Sequence, residues 1–310
     1  MKKVAFIFPG QGSQAIGMGK DFFLNNNIAK EMIKNASKRL SIDFEKLLFE
    51  ENEILGETQF TQPAILLVSC IALAVFKEKC DVKPEFVLGH SLGEFSALVA
   101  AGAIDYLDAL ELVNKRGIFM KEACSGSGAG MMALVGIDDE KVENICKEQR
   151  VAGKKVWPAN YNMDGQLVLA GLKVDLESLV DTFKAAGAKR ALVLDMSVAS
   201  HCELLESAVE NLKPYLMEFL RDEEFLPVIG NVSAEAYTAK DEAIDLLSSQ
   251  LVSPVKYKQS IKAYASKVDC FIEFGQGAVL KGLNKKITDI PTLNISDMTT
   301  LEATIGELND

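Results

Sequence analysis

Histidine is scarce in this sequence, with two copies, His90 and His201, among 310 residues. Six cysteines are scattered without a Cys-x-x-Cys pair, and no group of histidines and cysteines has the spacing of metal ligands. In a chain of this length we predict buried thiols rather than a disulfide framework. We therefore expect no metal and no bound cofactor.

Positive charge and long apolar runs are also limited. Lys and Arg number 33 against 44 Asp and Glu, a formal net charge of −11, which argues against a nucleic-acid partner. The apolar stretch over residues 64–76 is too short to cross a bilayer, and the first apolar run breaks at Pro9-Gly10, too early for a signal peptide. We predict a cytoplasmic protein without a membrane partner.

Two small basic groups stand out against the acidic background. They are Lys189-Arg190 and the set Lys281, Lys285 and Lys286. Each is either a solvated face of its element or a local docking surface for an acidic protein.

The sequence Gly89-His90-Ser91-Leu92-Gly93 has the Gly-x-Ser-x-Gly spacing of a nucleophile elbow. An apolar strand pattern over 86–88 precedes it and a helical pattern over 94–101 follows it, which is the context that such an elbow requires. The alternative is a tight strand-to-helix turn in which Ser91 only caps the helix.

A serine nucleophile needs a base, and His201 is the candidate because His90 is expected to point away from the turn. The order of serine before histidine is that of α/β-hydrolase-like enzymes. Asp195 is one of many acids that could orient the imidazole. Cys202 is a conceivable rival nucleophile without a second histidine to pair with.

An oxyanion hole needs two backbone N–H donors. Leu92, directly after the serine, would supply one. The loop after the first strand contains Gln11 between two glycines and could supply the other, although it could equally be a plain glycine turn.

Arg116 gives the clue to the substrate. The helix predicted over 107–120 places it in the middle of an apolar arc, where a guanidinium requires an anionic partner. Either Arg116 reaches out of the apolar interface to solvent, or its partner is a structural acid within the fold or a free carboxylate on a bound acyl group. A free carboxylate on the acyl group would make the substrate a dicarboxylic acyl thioester.

Strand and helix patterns alternate along the chain, which predicts an α/β fold with a parallel sheet covered by helices. A Gly/Ser-rich linker is predicted over 125–130. After it, the order βαββαβ predicts an inserted ferredoxin-like small subdomain at 126–198, with residues 1–125 and 199–310 forming the large subdomain. The last strand of the insert is predicted over 188–196, and the large sheet is completed by short strands at 227–231 and 271–274.

Seven motifs in order resemble those of malonyl-CoA:acyl carrier protein transacylases, over nearly the whole chain. They are Phe8-Pro9-Gly10-Gln11-Gly12-Ser13-Gln14, Thr61-Gln62-Pro63-Ala64, Gly89-His90-Ser91-Leu92-Gly93-Glu94, Arg116-Gly117, Pro158-Ala159-Asn160-Tyr161-Asn162, Ser200-His201 and Phe271-Ile272-Glu273-Phe274-Gly275-Gln276-Gly277.

The resemblance implies an α/β-hydrolase-like large subdomain, a Ser91 acyl-enzyme and His201 as its base. It also implies an oxyanion hole from the amides of Gln11 and Leu92, and Arg116 as the clamp on the malonyl carboxylate.

In this family a backbone carbonyl orients the histidine, and Gln250 matches that position. Asn160 and Asn162 would line the pantetheine channel by the same resemblance. The chain has Ala199 where the family often has proline, so the choice between malonyl and methylmalonyl stays open.

The implied reaction is a ping-pong transfer of malonyl from malonyl-CoA to the phosphopantetheine thiol of an acidic acyl carrier protein, in fatty acid biosynthesis. Two alternatives remain: a serine esterase or thioesterase with the same residues, and a carrier-binding module without catalysis.

Overall fold

Short apolar runs form the strands of this protein, and longer runs with helical periodicity form its helices. The computed structural model describes residues 2–196 and 198–309, so Met1, Ser197 and Asp310 of the ranges above lie outside the described residues. The strands within these ranges are β1 (Val4–Phe8), β2 (Pro84–Gly89), β3 (Ala129–Val135), β4 (Val156–Met163), β5 (Gln166–Leu172), β6 (Arg190–Val193), β7 (Val228–Ile229), β8 (Ala236–Tyr237), β9 (Cys270–Phe274) and β10 (Thr292–Ile295).

The helices in the same residues are α1 (Lys20–Asn25), α2 (Asn27–Leu40), α3 (Phe44–Phe49), α4 (Thr58–Lys79), α5 (Gly93–Ala101), α6 (Tyr106–Ala123), α7 (Asp139–Val151), α8 (Lys173–Ala185), α9 (Glu206–Phe219), α10 (Lys240–Gln250), α11 (Tyr257–Tyr264), α12 (Val279–Asn284) and α13 (Met298–Asn309). The helical patterns predicted over 94–101 and 107–120 correspond to α5 and α6.

The larger sheet has the strand order β10-β9-β1-β2-β7-β8, in which β8 alone is antiparallel to its neighbour. Its central strand β1 is buried along its whole length, as expected for a parallel strand covered by helices on both faces. The carboxyl ends of β1 and β2 lie side by side because Phe8 pairs with Gly89. The loops that follow them, which carry Gln11 and Ser91, therefore meet at one edge of the sheet.

Helix α4 packs in the core of the large subdomain. By length and composition it could cross a membrane, since it extends beyond the apolar run at both ends, but 83% of its most apolar window is buried inside the protein. Phe76 of this helix lies 5.3 Å from Phe274, centre to centre, in an edge-on contact. Such burial is that of a core helix.

The smaller sheet is antiparallel, with the order β4-β5-β3-β6. Its elements follow one another as β3-α7-β4-β5-α8-β6, so the predicted ferredoxin-like arrangement is confirmed. The strands lie between residues 129 and 193, inside the predicted insert of 126–198, whose limits stay a prediction. The α/β fold with an α/β-hydrolase-like parallel sheet is confirmed as well.

The two subdomains are joined by backbone hydrogen bonds at β4. The Tyr161 N–H donates to the Val255 carbonyl oxygen over 2.9 Å, and the Val255 N–H donates to the Ala159 carbonyl oxygen over 2.8 Å. This places the outer strand of the small sheet against the large subdomain. The asparagines of β4 are thereby brought to the boundary between the subdomains.

Three predicted boundaries were wrong. Residues 129–130 belong to β3 rather than to a linker, since Gly130 pairs with Gly171 of β5. Strand β6 ends at Val193, because the chain then leaves the sheet to line a cavity at 194–196. Strand β7 ends at Ile229, before Asn231, whose side chain is used elsewhere. The prediction for the cysteines holds: all are free thiols, five buried and Cys80 half-buried.

Candidate active site

The turn between β2 and α5 carries Ser91. Its φ of 52° lies in the left-handed region, which side chains rarely adopt. A Cβ atom on Gly89 would lie 1.8 Å from the carbonyl carbon of Gly93, and one on Gly93 would lie 2.1 Å from the carbonyl oxygen of Phe8. Only glycine fits at these two positions, so the sequence spacing produces a strand–turn–helix elbow with serine at its tip.

His201 reaches Ser91 from the loop that precedes α9. Its Nε2 lies 2.8 Å from the Ser91 Oγ, and its Nδ1 lies 2.7 Å from the main-chain oxygen of Gln250. A carbonyl oxygen can only accept, so Nδ1 carries the proton and Nε2 presents a lone pair. The serine hydroxyl therefore donates to a neutral imidazole. Like Ser91, His201 has a left-handed backbone, with a φ of 62°.

The environment keeps this imidazole uncharged. Burial, and after it the positive charge of Arg116, lowers the pKa of His201 to about 3. Asp195 lines the same cavity as His201, but the Nδ1 proton goes to the Gln250 carbonyl instead. A neutral carbonyl thus orients the ring without adding a negative charge beside it.

Two backbone N–H groups lie in the cavity of the serine and could form an oxyanion hole. Gln11 and Leu92 both line the cavity that contains Ser91. Neither N–H donates to a protein acceptor in the part of the chain that the structure describes. The His90 N–H donates to the Phe8 carbonyl oxygen over 3.0 Å, which fixes the end of β1 against the elbow. Leu92 also precedes the N-terminus of α5, where negative charge is stabilised, so the pair could receive a developing oxyanion.

Arg116 of α6 is 2% exposed and lines the same cavity. Its Nη1 donates to the side-chain oxygen of Gln62 over 2.8 Å, and its Nη2 donates to the side-chain oxygen of Gln250 over 2.9 Å. Its Nε has no hydrogen-bond partner among the residues that the structure describes. Burial lowers its pKa to about 10, which leaves it protonated at neutral pH.

No ion pair of Arg116 occurs in the described residues, so the structural salt bridge considered above is not formed. The guanidinium carbon lies 5.4 Å from the centre of the Phe95 ring, which favours the cation without neutralising it. The charge of Glu94 also acts on Arg116 and opposes the lowering of its pKa, but Gln250 hydrogen-bonds both side chains and lies between them. Within the described residues the site therefore presents a buried cation without a direct carboxylate contact, close to a serine–histidine pair.

The cavity has a volume of about 460 Å³. The small subdomain contributes its opposite wall, which includes Asn160 and Asn162. His90 does not bond to the Ser91 hydroxyl; its Nε2 lies 2.8 Å from the side-chain oxygen of Asn162. The predicted site residues are thus brought to one cavity, except Gln250, which is wholly buried and touches the site through His201 and Arg116.

Comparison with known proteins places this arrangement in a family. The family model of the acyl transferase domain matches residues 5–301. The chain belongs to the acyl transferase domain family.

Relatives of this acyl transferase cover its whole length. The malonyl CoA-acyl carrier protein transacylase of Bacillus subtilis is 42% identical over 100% of the chain and 98% of its own length. The crystal structure of the Helicobacter pylori malonyl-CoA:acyl carrier protein transacylase, 44% identical, superposes with a TM-score of 0.96 over 100% of this chain and 99% of its own.

A third relative was solved with a partner. It is a malonyl-transacylase in complex with its type II PKS acyl-carrier protein, 36% identical, with a TM-score of 0.94 over 98% of this chain and 99% of that one.

Sequence reasoning missed the polar groups that hold the acyl transferase elbow. The Asn231 side chain accepts from the Ser91 N–H and donates to the Gly89 carbonyl oxygen, both over 2.7 Å. Glu94 is 1% exposed and accepts from the Gln250 amide over 2.7 Å and the Tyr237 hydroxyl over 3.0 Å. A charged residue within a helix as apolar as α5 was an available signal for Glu94, whereas nothing local marks Asn231.

Two other sequence candidates lie apart from the cavity. Cys202 is buried and does not line the cavity, and burial raises the pKa of its thiol to about 12, so it stays protonated. The basic residues Lys189, Arg190, Lys281, Lys285 and Lys286 are all exposed. They remain available as docking groups.

Proposed function

We propose that this acyl transferase moves a malonyl group from malonyl-CoA to the phosphopantetheine thiol of an acyl carrier protein, in fatty acid biosynthesis. The observation that carries the proposal is Arg116, a buried cation in the cavity of the Ser91–His201 pair that forms no ion pair within the described residues. Such a cation favours an acyl group that ends in a carboxylate.

In the first step the Ser91 Oγ attacks the thioester carbonyl while its proton passes to His201 Nε2. The 2.8 Å separation of these atoms permits direct proton transfer. The amides of Gln11 and Leu92 stabilise the tetrahedral oxyanion, and the Gln250 carbonyl keeps the Nδ1 proton in place. Collapse of the intermediate breaks the carbon–sulfur bond, and the coenzyme A thiol leaves with the proton from His201.

In the second step the carrier thiol enters the same position. Its proton passes to His201 Nε2, its sulfur attacks the Ser91 ester, and the serine leaves as it regains that proton. Arg116 would hold the acyl carboxylate during both steps, so that the ester carbonyl faces the incoming thiol. Asn160 and Asn162, on the opposite wall, would bind the pantetheine arm.

The names of the relatives support malonyl-CoA and an acyl carrier protein as the partners of this chain. Each of the relatives above is described as acting on malonyl-CoA or with an acyl carrier protein. An acidic carrier would find the exposed basic groups at 189–190 and 281–286 of this chain. We place the protein in the cytoplasm, where these substrates would be available.

The rival enzyme is an esterase or thioesterase that uses the same pair with water as acceptor. Arg116 disfavours it, because a hydrolase has no need of a buried carboxylate clamp. A docking module without catalysis has no need of the Ser91–His201 hydrogen bond or of free N–H groups beside it.

The test is intact-protein mass spectrometry after brief exposure to malonyl-CoA, followed by addition of phosphopantetheinylated carrier protein. A malonyl adduct should form on the wild type, be absent from Ser91→Ala, and move to the carrier. Loss of the adduct to water alone would favour the hydrolase, and no adduct with any acyl-CoA would favour the docking module.

A further inference from the structure

Gln62 of α4 is a polar side chain in an apolar helix, and it is wholly buried. Its side-chain oxygen accepts from Arg116 Nη1 over 2.8 Å. Gln62 has no part in the acyl transfer steps proposed for Ser91, His201 and Arg116. Burial of an amide is unfavourable unless its hydrogen bonds are made, so its contact with Arg116 is a specific one.

Gln62 and Gln250 hold the two ends of the guanidinium in the same way. Gln250 offers its side-chain oxygen to Nη2 over 2.9 Å, as Gln62 does to Nη1. The plane of the guanidinium is thereby fixed by two acceptors from different helices, α4 and α10. The remaining N–H groups of Arg116 stay available to a ligand.

The donor end of the Gln62 amide determines that its oxygen faces Arg116. Its Nε2 donates to the Thr58 hydroxyl oxygen over 2.9 Å, and that hydroxyl donates to the Gln11 side-chain oxygen over 3.1 Å. The Gln250 amide is oriented likewise, since its Nε2 donates to Glu94 over 2.7 Å. Neither amide can reverse without bringing an N–H group against the guanidinium.

Both acceptors are uncharged, and this has a consequence for binding. A carboxylate at either position would neutralise Arg116 inside the protein and compete with any acyl carboxylate. An amide oxygen fixes the same geometry while the positive charge remains.

We propose that Gln62 is a positioning residue for acyl selectivity: it holds Arg116 in place with a neutral acceptor and thereby keeps the cation free for the carboxylate of the acyl group. This inference rests on the proposed function. It assigns a role to the Thr61-Gln62-Pro63-Ala64 segment, which the mechanism does not otherwise use.

The experiment replaces the neutral acceptor by a charged one of the same shape, Gln62→Glu. Loading of Ser91 is measured with malonyl-CoA and acetyl-CoA, and KM and kcat are determined for each. The ratio of malonyl to acetyl kcat/KM should fall at least about tenfold, through a higher KM for malonyl-CoA. Gln62→Met, which removes the acceptor without adding charge, should give a smaller fall in the ratio.

Gln59→Glu is the matched control, since it adds the same charge three residues earlier in α4 and its side chain lines none of the cavities that contain Gln11. Its acyl ratio should equal that of the wild type. A folded Gln62→Glu with the wild-type ratio would overturn the proposal. If that variant does not fold, Gln62→Met decides: a fall in the ratio supports the proposal, and equal losses for both acyl groups overturn it.

The proposed function fails separately, if the wild type itself does not load malonyl. A wild type that loads malonyl normally, beside variants with an unchanged ratio, would overturn the role of Gln62 alone.

Discussion

The two subdomains contribute different things to one cavity. The large subdomain supplies Ser91, His201 and Arg116, each fixed by hydrogen bonds to buried or backbone groups. The small subdomain supplies the opposite wall, whose polar residues include Asn160 and Asn162. No titratable residue of the small subdomain other than Asp195 lines this cavity in the described residues.

This difference separates the reacting groups and the acyl carboxylate site, in the large subdomain, from the surface proposed to bind the pantetheine arm, in the small one. Proton transfer requires atoms held to within a fraction of an ångström, which buried elements of a parallel sheet provide. A thioester arm requires a surface to lie against, which the edge of a second sheet provides. The comparison predicts that substitutions of the Ser91–His201 pair lower the rate of acyl transfer, whereas substitutions in the wall of the small subdomain raise KM and leave kcat nearly unchanged.

The largest effect is expected from His201→Ala. Without the imidazole the serine proton has no acceptor, and the rate of Ser91 acylation should fall about 10³-fold while malonyl-CoA still binds. Stopped-flow or quenched-flow measurement of adduct formation gives the rate, and calorimetric titration gives the affinity. A loss of affinity that accounts for the whole effect would contradict the assignment of His201 to chemistry.

The pH profile of the wild type is the companion measurement. Because the pKa of His201 is lowered to about 3, its neutral form persists and acylation should not lose half its rate at the ordinary histidine pKa of 6.5. Burial raises the pKa of Glu94 to about 7, so we expect the Glu94 carboxyl to titrate near pH 7. An inflection that disappears in Glu94→Gln belongs to Glu94, whereas one near 6.5 that persists would contradict the lowered pKa of His201.

A smaller and more selective effect is expected from Arg116→Ala. Loss of the buried cation removes the partner of the acyl carboxylate, so kcat/KM for malonyl-CoA should fall about 100-fold relative to acetyl-CoA. Competition between the two thioesters, followed by mass spectrometry of the adduct, gives the ratio directly.

Arg39→Ala is the control for Arg116→Ala. Arg39 pairs with Asp108 and Glu111 on the surface, over 2.7 and 2.8 Å, and does not line the cavity. Its removal should leave the acyl ratio unchanged. Equal losses of malonyl and acetyl loading in Arg116→Ala would contradict the carboxylate clamp.

The smallest effect is expected from Asn162→Ala in the small subdomain. An amide that makes one or two hydrogen bonds to a substrate contributes about 1 kcal/mol, so KM for malonyl-CoA should rise roughly fivefold with kcat nearly unchanged. Steady-state kinetics separate the two constants, with the exposed Asn25→Ala as control. A fall in kcat comparable to that of His201→Ala would contradict the assignment of the small subdomain to substrate binding alone.

The sequence predicted the fold well because local patterns and the larger architecture agree. The helical and strand periods predicted the strand before Ser91 and the helix after it. The βαββαβ order was enough to predict the ferredoxin-like arrangement of the small subdomain. Arg116 was found because a cation in an apolar arc is unusual. The predicted ends of strands were wrong where tertiary contacts override the local sequence pattern. Residues 194–196, for example, were predicted as strand but line the cavity instead.

The supporting polar network could not be predicted in the same way. Asn231 lies 140 residues after Ser91, and its bond to the Ser91 N–H depends on how β7 and β2 pair. The same holds for Glu94 and Gln250, which come together from α5 and α10. A periodic pattern records which face of an element is buried, but not which buried polar groups meet.

The left-handed backbones of Ser91 and His201 link activity to thermal stability. Outside glycine and asparagine such a conformation is unfavourable by about 1–3 kcal/mol, and here both reacting residues adopt it. The surrounding core must therefore supply that free energy in every folded molecule. Directed evolution for heat resistance alone would favour glycine or asparagine at these two positions, so a thermostable variant has to be selected for turnover as well.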